Sequence, residues 1–177
     1  MRRICVFCGA APGNDPRYAA AAGELGRALA ARSIELVTGG GKVGLMGVVA
    51  DATLAAGGRV IGIIPRFLEE REVAHRGLTE LHVVGSLHER KTLMHQLSDG
   101  FIVLPGGFGT LDELMESVTW AQLGLHAKPI GIVNVAGYFD DLLAFVEEAR
   151  EAGFIPAAHG EILIVRDDPT VLVDALT

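Results

Sequence analysis

Short apolar runs alternate along the chain with longer segments in which apolar residues recur at helical spacing. The runs are hydrophobic at consecutive positions, which is typical of strands buried on both faces of a parallel sheet. The predicted strands are ICVFC (4–8), IELVT (34–38), RVIGII (59–64), ELHVV (80–84), FIVLP (101–105), PIGIV (129–133) and EILIV (161–165). Helices are predicted to begin near Pro16, Leu45, Ser86 and Thr110, to run from about Tyr138 to Ala152, and to follow Pro169.

Strands and helices that alternate in this order predict an α/β fold. We expect a Rossmann-like, doubly wound parallel sheet with helices on both faces. The length of 177 residues fits a single nucleotide-binding domain spanning 1–177, because no linker, repeat or low-complexity segment divides the chain. In such folds, ligands bind outside the carboxyl ends of the strands, where the strand order reverses.

The composition of the chain argues against several classes of binding partner. The formal net charge of −7 argues against a nucleic-acid surface and against an anionic-lipid anchor. No apolar stretch approaches the roughly 18 to 20 residues that span a membrane, and MRRICVFC at the start fits a buried strand better than a signal peptide. Cys5 and Cys8 lie three apart on that strand, so we expect two buried thiols on opposite faces and a protein of the reducing cytoplasm.

Glycine-rich turns follow three of the predicted strands. They are CGAAPG (8–13), TGGGKVGLMG (38–47) and PGGFGT (105–110). Because the carboxyl ends of parallel strands meet at one edge of a sheet, these turns should share one crevice. Three glycine turns at equivalent strand ends indicate a phosphate or nucleotide site.

The second glycine turn does not fit two known nucleotide signatures. Residues 39–44 satisfy G-x-G-x-x-G, but the next strand ends in Ile64-Pro65-Arg66, where a dinucleotide site needs an acid for the ribose. Lys42 is not a P-loop lysine, because Val43 stands where Ser or Thr should hold magnesium. An NAD-dependent enzyme is therefore disfavoured, and glycines that only permit close helix–strand packing remain an alternative here.

The third glycine turn leads into a helix whose first residues suggest two uses of Glu113. Backbone N–H groups from Gly107 to Thr110 can hold a phosphate at a helix start. Residues 110–113 also match a T-x-x-E capping box, in which Glu113 would only bind the backbone N–H of the cap. The residues alone leave both uses open.

The stretch SLHERKTLMHQLSD (86–99) predicts another helix, which opens with an S-x-x-E capping box. Arg90 falls on its apolar face, where a cation needs an anionic partner, either a protein carboxylate or a ligand. Lys91, one position further, is more typical of a surface lysine. His88 and His95 are expected to be exposed or internally satisfied, and no metal site is predicted.

Arg90-Lys91 followed by PGGFGTLDE (105–113) resembles the double signature of the LONELY GUY (LOG) family. Its members are cytokinin riboside 5′-monophosphate phosphoribohydrolases, long labelled lysine-decarboxylase-like. The resemblance runs from VFCGAAPG through TGGGKVGLMG and ESVTWAQLG to NVAGYFDDLLAF, so it covers most of the chain. Ala10 departs from the family's frequent Ser, which removes a hydroxyl from the first glycine turn.

The resemblance implies cleavage of the N-glycosidic bond of an N6-modified adenosine 5′-monophosphate to the free base and ribose 5-phosphate, with no cofactor and no metal. By position, Arg90 and Glu113 match the catalytic pair. Glu113 would stabilise an oxocarbenium-like ribose and activate water, and Arg90 would hold that carboxylate ionised. The further substrate-contacting positions are Lys91, Gly107, Phe108, Gly109, Thr110, Leu111, Asp112, Thr119 and Glu72. Composition alone would assign the stretch around Glu72 (66–76) to a solvated connection.

Two other functions stay open as alternatives. A non-catalytic nucleotide carrier or sensor on the same fold would need the glycine turns but not Glu113. A lysine decarboxylase would need a lysine that forms a Schiff base with pyridoxal phosphate, and Lys42, Lys91 and Lys128 are the lysines of the chain.

A homodimer or larger homo-oligomer is also expected. Trp120 is predicted on the helix face opposite Leu114 and Val118, which leaves an aromatic ring to find other cover. The resemblance points the same way, because members of the family are similar in being dimers or larger.

Overall fold

The computed structural model describes residues 1–69, 74–156, 159–160 and 162–177. Its strands are β1 (Arg3–Phe7), β2 (Glu35–Thr38), β3 (Val60–Pro65), β4 (Glu80–Val84), β5 (Gly100–Val103), β6 (Ile130–Val133) and β7 (Leu163–Arg166). Its helices are α1 (Pro16–Ala31), α2 (Gly44–Ala55), α3 (Arg66–Glu69), α4 (Leu87–Leu97), α5 (Phe108–Gln122), α6 (Asp140–Glu151) and α7 (Pro169–Leu176).

The strands form one parallel sheet in the order β4-β3-β2-β1-β5-β6-β7. The predicted doubly wound, Rossmann-like α/β fold is therefore confirmed. The order proceeds outward from β1 on one side and from β5 on the other, so the reversal lies between these neighbours. The turns that follow β1 and β5 meet at the place where ligands bind in such folds.

Each face of the sheet packs against its own apolar cluster. Residues of α1, α2 and α7 cover one face, and residues of α4, α5 and α6 cover the other. Cys8 belongs to the first cluster and Cys5 to the second, and both are buried free thiols, as predicted. Full burial of each Leu, Ile or Val side chain contributes roughly 1.5 to 3 kcal/mol to the stability of the fold. The two apolar layers therefore hold the strands and the turns at their carboxyl ends in place.

The boundaries of two elements bear on the site. α4 begins as predicted, with Ser86 Oγ accepting a hydrogen bond from Glu89 N at 3.1 Å and Glu89 Oε2 accepting one from Gly85 N at 2.7 Å. α5 begins at Phe108, two residues before the predicted Thr110. Within the described ranges, no helix combines the length and apolarity needed to cross a membrane.

Candidate active site

A cleft of about 540 Å³ lies where the strand order reverses, between the turns that follow β1 and β5. Gly9 N donates a hydrogen bond to Pro105 O at 3.0 Å, which holds the two turns side by side. Tyr18 and Tyr138, whose ring centroids lie 5.4 Å apart, also line the cleft. The glycines of the first and third turns therefore share one crevice, as predicted, whereas Gly39 and Gly41 of the second turn line an adjoining pocket instead.

α5 begins in the wall of this cleft, with Gly107 as its N-cap. Leu111 donates the first intrahelical hydrogen bond to Gly107 O at 3.0 Å, so the N–H groups of Phe108, Gly109 and Thr110 have no acceptor within the helix. A Cβ added at Gly107 or Gly109 would meet open space, which leaves this backbone accessible. The arrangement is suited to a bound anion, because the helix dipole and the free N–H groups act together.

Arg90 on α4 lines a second cavity, a pocket of about 250 Å³ that shares Ala10 and Gly109 with the cleft. Its Nε donates to Ile63 O at 3.1 Å and its Nη2 donates to Gly39 O at 3.3 Å. Its Nη1 lies 3.7 Å from Glu113 Oε1, and the two side chains are only 12% and 11% exposed. The anionic partner that Arg90 was expected to need is thus a protein carboxylate.

Two glycines of the second turn serve different purposes. A Cβ at Gly39 would lie 1.7 Å from Arg90 Nη2, so this position must be glycine for the guanidinium to cross it. Gly44 has a φ of +63°, and a Cβ there would lie 2.3 Å from the carbonyl carbon of Ala10. The close-packing interpretation therefore applies to Gly44, whereas Gly39 shapes the pocket.

Glu113 is a carboxylic acid buried between charged neighbours. Burial raises its pKa to about 7, while Arg90 and Lys91 lower the pKa and Asp112 and Glu116 raise it. Arg90 lowers the pKa of Glu113, as expected, but at 3.7 Å it is beyond hydrogen-bond length and offsets only part of the desolvation. The expected effect of Arg90 on this carboxylate is therefore met in direction only, because the pKa stays above its ordinary value of 4.5.

The capping-box interpretation of Glu113 is also wrong. Because α5 begins at Phe108, Thr110 is its third residue and Glu113 its sixth, too far along to reach the N–H of the cap. Gly107 caps the helix without a side-chain hydrogen bond. Thr110 packs instead against Gly106, where a Cβ would lie 2.0 Å from the Thr110 hydroxyl.

Lys91 is held by two carboxylates. Its Nζ donates to Asp112 Oδ2 at 3.0 Å and forms an ion pair with Glu116, and its side chain is only 14% exposed. Burial lowers the pKa of Lys91, but the hydrogen bonds to Glu116 and Asp112 outweigh it, so the pKa is raised. The two predicted contact residues Lys91 and Asp112 thus bind each other, and neither lines the cleft or the pocket.

The other predicted contact residues divide into two groups. Gly107, Gly109 and Thr110 line the cleft. The structure does not bring the remaining described ones to either cavity: Phe108 is 94% exposed, Leu111 is half-buried, and Thr119 is exposed on the outer face of α5. Glu72 lies outside the described residues, so its role stays a prediction.

An apolar wall of the pocket escaped prediction. It consists of Val43, Met46, Ile64 and Leu68. Leu68 belongs to α3, within the stretch predicted to be a solvated connection, so that prediction is wrong for this residue. Only the tertiary structure brings these four side chains to the pocket that Arg90 lines.

The two histidines of α4 differ. His88 is exposed, whereas His95 is buried. The His95 ring packs against the ring of Trp120, with the two centroids 4.4 Å apart. Trp120 is therefore less in need of an external partner than its position on the helix suggested. No group of three or more His, Cys, Asp or Glu residues that could hold a metal ion occurs in the described part of the chain.

Comparison with known proteins adds an independent finding. The family described as "Possible lysine decarboxylase" matches residues 46–176. The probable cytokinin riboside 5′-monophosphate phosphoribohydrolase LOGL9 of Oryza sativa subsp. japonica is 51% identical over 176 residues, which are 99% of this chain and 78% of that protein. The cytokinin riboside 5′-monophosphate phosphoribohydrolase LOG1 of Arabidopsis thaliana is 47% identical over 99% of this chain and 83% of its own length.

Solved structures share the fold at lower identity. The molybdenum cofactor binding protein from Rippkaea orientalis superposes with a TM-score of 0.74 at 22% identity, covering 99% of this chain and 95% of that chain. The molybdenum cofactor carrier protein from Chlamydomonas reinhardtii superposes with a TM-score of 0.73 at 20% identity, over 99% and 95% of the two chains. These likenesses confirm the Rossmann-like architecture.

Proposed function

The chain belongs to the LONELY GUY (LOG) family, and on that premise we propose that it hydrolyses the N-glycosidic bond of an N6-modified adenosine 5′-monophosphate. The products are the free base and ribose 5-phosphate. Relatives named as cytokinin riboside 5′-monophosphate phosphoribohydrolases, 51% and 47% identical to the chain, support the proposal. The observation that carries it is the buried Glu113 carboxyl, 3.7 Å from Arg90 and one turn along the helix whose start is lined by glycines.

The proposed phosphate site is the start of α5. The net charge of −7 repels an anionic nucleotide at long range, so local donors must capture the 5′-phosphate. The free N–H groups of Phe108, Gly109 and Thr110 are such donors. Because Gly109 borders both cavities, a nucleotide with its phosphate in the cleft reaches the pocket with its ribose.

Glu113 supplies the chemistry at the ribose. Hydrolysis breaks the bond between C1′ and the purine nitrogen, and the base leaves with the bonding electron pair while positive charge builds on the ribose. The Glu113 carboxylate stabilises that charge and takes a proton from the water whose oxygen bonds to C1′. The departing base takes up a proton from solvent. A pKa of about 7 fits a general base that works near neutral pH.

Arg90 provides a fixed positive charge beside this carboxyl group. Its two hydrogen bonds to Ile63 O and Gly39 O hold the guanidinium at the strand ends. Nη1 remains directed toward Glu113, where it can orient the carboxylate and contact the bound nucleotide. Arginine suits this position better than lysine, because its planar fork satisfies several acceptors at once.

A panel of nucleotides tests the proposal. The protein is incubated with N6-modified adenosine 5′-monophosphates, plain AMP and the matching ribosides without phosphate, and free base is followed by chromatography. We expect base release from the monophosphates and at least a hundredfold lower kcat/KM for the ribosides, because phosphate binding positions the ribose. Equal cleavage of ribosides and monophosphates would contradict the phosphate site at α5. No base release from any monophosphate would contradict the function itself.

The lysine decarboxylase reading is tested by an absorbance scan for bound pyridoxal phosphate. Lys91 pairs with Asp112 and Glu116, Lys128 Nζ donates to His95 O, and Lys42 lines a separate cavity beside Ala74. None of the three lysines lines the cleft or the pocket. We expect no absorbance band of a pyridoxal Schiff base.

We further propose that the protein forms a homo-oligomer in the cytoplasm. Met115 and Thr119 of α5 and Leu123 directly after it lie on one side of the helix, and Met115 and Leu123 are 36% and 68% exposed. Such a stripe is suited to cover by a second copy of the chain. The two free buried thiols, Cys5 and Cys8, fit a reducing compartment.

A further inference from the structure

A buried hydrogen-bond chain joins α4 to α5 about one turn beyond the pair Arg90 and Glu113. His95 Nε2 lies 3.1 Å from Ser117 Oγ, and Ser117 Oγ lies 2.8 Å from the carbonyl oxygen of Glu113. His95 follows Arg90 on α4, and Ser117 follows Glu113 on α5, each by about one helical turn. The chain therefore ends on the backbone of the proposed catalytic residue.

The direction of each hydrogen bond follows from the number of protons. A serine hydroxyl has one proton, and Ser117 donates it to Glu113 O. Ser117 Oγ must then accept from His95, so Nε2 carries the imidazole proton. Burial, with smaller contributions from His126, Lys128 and Lys91, lowers the pKa of His95 to about 4, so the ring is a neutral donor near pH 7.

The His95 ring is fixed in place by its surroundings. Its centroid lies 4.5 Å from that of Phe101 on β5 and 4.4 Å from that of Trp120 on α5, and the residue is 5% exposed. Its Nδ1 is buried and has no hydrogen-bond partner among the described residues. Among the described residues, Ser117 is therefore the one hydrogen-bond partner of the His95 ring.

We propose that His95 and Ser117 are positioning residues, whose hydrogen-bond chain sets the separation of α4 and α5 at which Glu113 faces Arg90 without bonding to it. The inference rests on the proposed function. The separation requires an explanation, because opposite charges 3.7 Å apart gain energy by closing to hydrogen-bond length. A closed pair would engage the carboxylate oxygen that the water and the ribose need.

A second link between the helices cannot replace this chain. Lys91 on α4 binds Asp112 and Glu116 on α5, which ties the helices together through long side chains. Such a link draws α5 toward α4 but does not fix the backbone at Glu113. The charged groups around the Glu113 carboxyl are Arg90 and Lys91 on α4 and Asp112 and Glu116 on its own helix, so a change in separation alters its titration.

The test compares Ser117→Ala, which removes the hydroxyl, with His95→Met, which keeps the apolar volume but has no donor. His95→Gln is the rescue variant, because its amide can donate at the position of Nε2. For both Ser117→Ala and His95→Met we expect kcat to fall about tenfold with KM within twofold. The acid limb of the kcat/KM profile should move to lower pH, since the closed pair lowers the pKa of Glu113.

Ser98→Ala is the matched control. Ser98 Oγ is equally buried and donates to the carbonyl oxygen of Met94 at 2.8 Å, the same local bond as in Ser117 but without the link to a histidine. We expect it to keep the kcat and the pH profile of the unaltered protein, and His95→Gln to keep at least half of that kcat. An unchanged kcat and acid limb in Ser117→Ala would overturn the inference, as would an equal loss in Ser98→Ala.

A readout independent of activity separates this inference from the proposed function. The Glu113 carboxyl is titrated by carbon NMR in the unaltered protein, in Ser117→Ala and in His95→Gln, after circular dichroism has shown that each is folded. We expect a lower pKa in Ser117→Ala and an unchanged one in His95→Gln. An inactive unaltered protein would contradict only the proposed function. Identical titrations of Glu113 in all three would overturn the inference.

Discussion

At the scale of single residues, Glu113 combines a cost in stability with the chemical role that we propose for it. A carboxyl group in the interior is costly to ionise, and Arg90 at 3.7 Å offsets only part of that cost. The resulting pKa of about 7 leaves both protonation states populated near neutral pH. Proteins keep such groups mostly at sites where the perturbed pKa is used.

Glu113→Gln tests the chemical use of the carboxyl group. We expect kcat to fall by two to four orders of magnitude, on the order of what a positioned general base contributes, because the amide can neither take a proton nor carry charge. Nucleotide binding, measured by calorimetry, should change by less than about tenfold. Glu148→Gln, an exposed change on α6, serves as the control and should retain full activity. Full activity in folded Glu113→Gln would favour the carrier or sensor function.

The same substitution tests the cost in stability. The folded pKa of about 7 lies above the ordinary value of 4.5, so the folded state holds the proton more tightly than the unfolded state. This contribution is present below about pH 4.5 and is lost as the pH rises through 7, by at most about 3 kcal/mol. In denaturant titrations, Glu113→Gln should gain free energy of unfolding relative to the unaltered protein at pH 8 but not at pH 5. A gain that does not depend on pH would contradict the pKa.

At the scale of secondary-structure elements, the sequence predicted where the glycine turns lie but not which cavity each one lines. The pattern of the sequence placed three glycine turns at strand ends, and two of them share the cleft. The sequence pattern misplaced the start of α5. Thr110 has a side chain that can cap a helix, whereas Gly107, the actual N-cap, makes no side-chain hydrogen bond and so leaves no signal in the sequence. The register matters, since the earlier start moves Glu113 from the cap into the second turn of the helix.

Gly39→Ala tests the packing of β2 against the arginine of α4. Gly39 is not in the left-handed region, so alanine fits its backbone, but the added Cβ would lie 1.7 Å from Arg90 Nη2. The guanidinium must move, and we expect kcat/KM to fall at least tenfold, on the order of a displacement of about 1 Å at the reacting groups. Gly23→Ala is the control, because its Cβ would meet the end of the Arg27 side chain at 3.3 Å and Val48 Cγ1 at an ordinary contact distance of 3.9 Å. Equal activity of the two variants would contradict the fixed position of Arg90.

At the scale of the whole molecule, the strand order brings together residues that are distant in sequence. Gly39, Ile63, Arg90 and Glu113 come from β2, β3, α4 and α5 and their turns, and they meet because these strands end at one edge of the sheet. A signature read along the chain names two of the four. The other two accept hydrogen bonds from Arg90 through backbone carbonyls, which every residue possesses, so the sequence does not reveal this role even at Gly39, where the lack of a side chain is needed.

The expected oligomer belongs to this scale. Leu123 is exposed directly after α5, in line with Met115, so Leu123→Glu should reduce the molecular mass in solution toward that of one chain of 18.7 kDa. Sedimentation velocity at several concentrations measures the effect. Val171→Glu, which places an acid on exposed α7, is the control and should keep the mass of the unaltered protein. A single chain in the unaltered protein would rule the oligomer out.

The sequence by itself determined the α/β class, the parallel sheet and the glycine turns at strand ends, and its resemblance to the LOG family singled out Arg90 and Glu113 as the proposed centre of the site. These follow from hydrophobic period and from a local signature, both of which are properties of consecutive residues. Only the tertiary structure decided the ionisation of Glu113 and the partners of Lys91. Only it revealed the link from His95 to Ser117, because a pKa and a buried hydrogen bond depend on distance and burial between elements rather than on residue type.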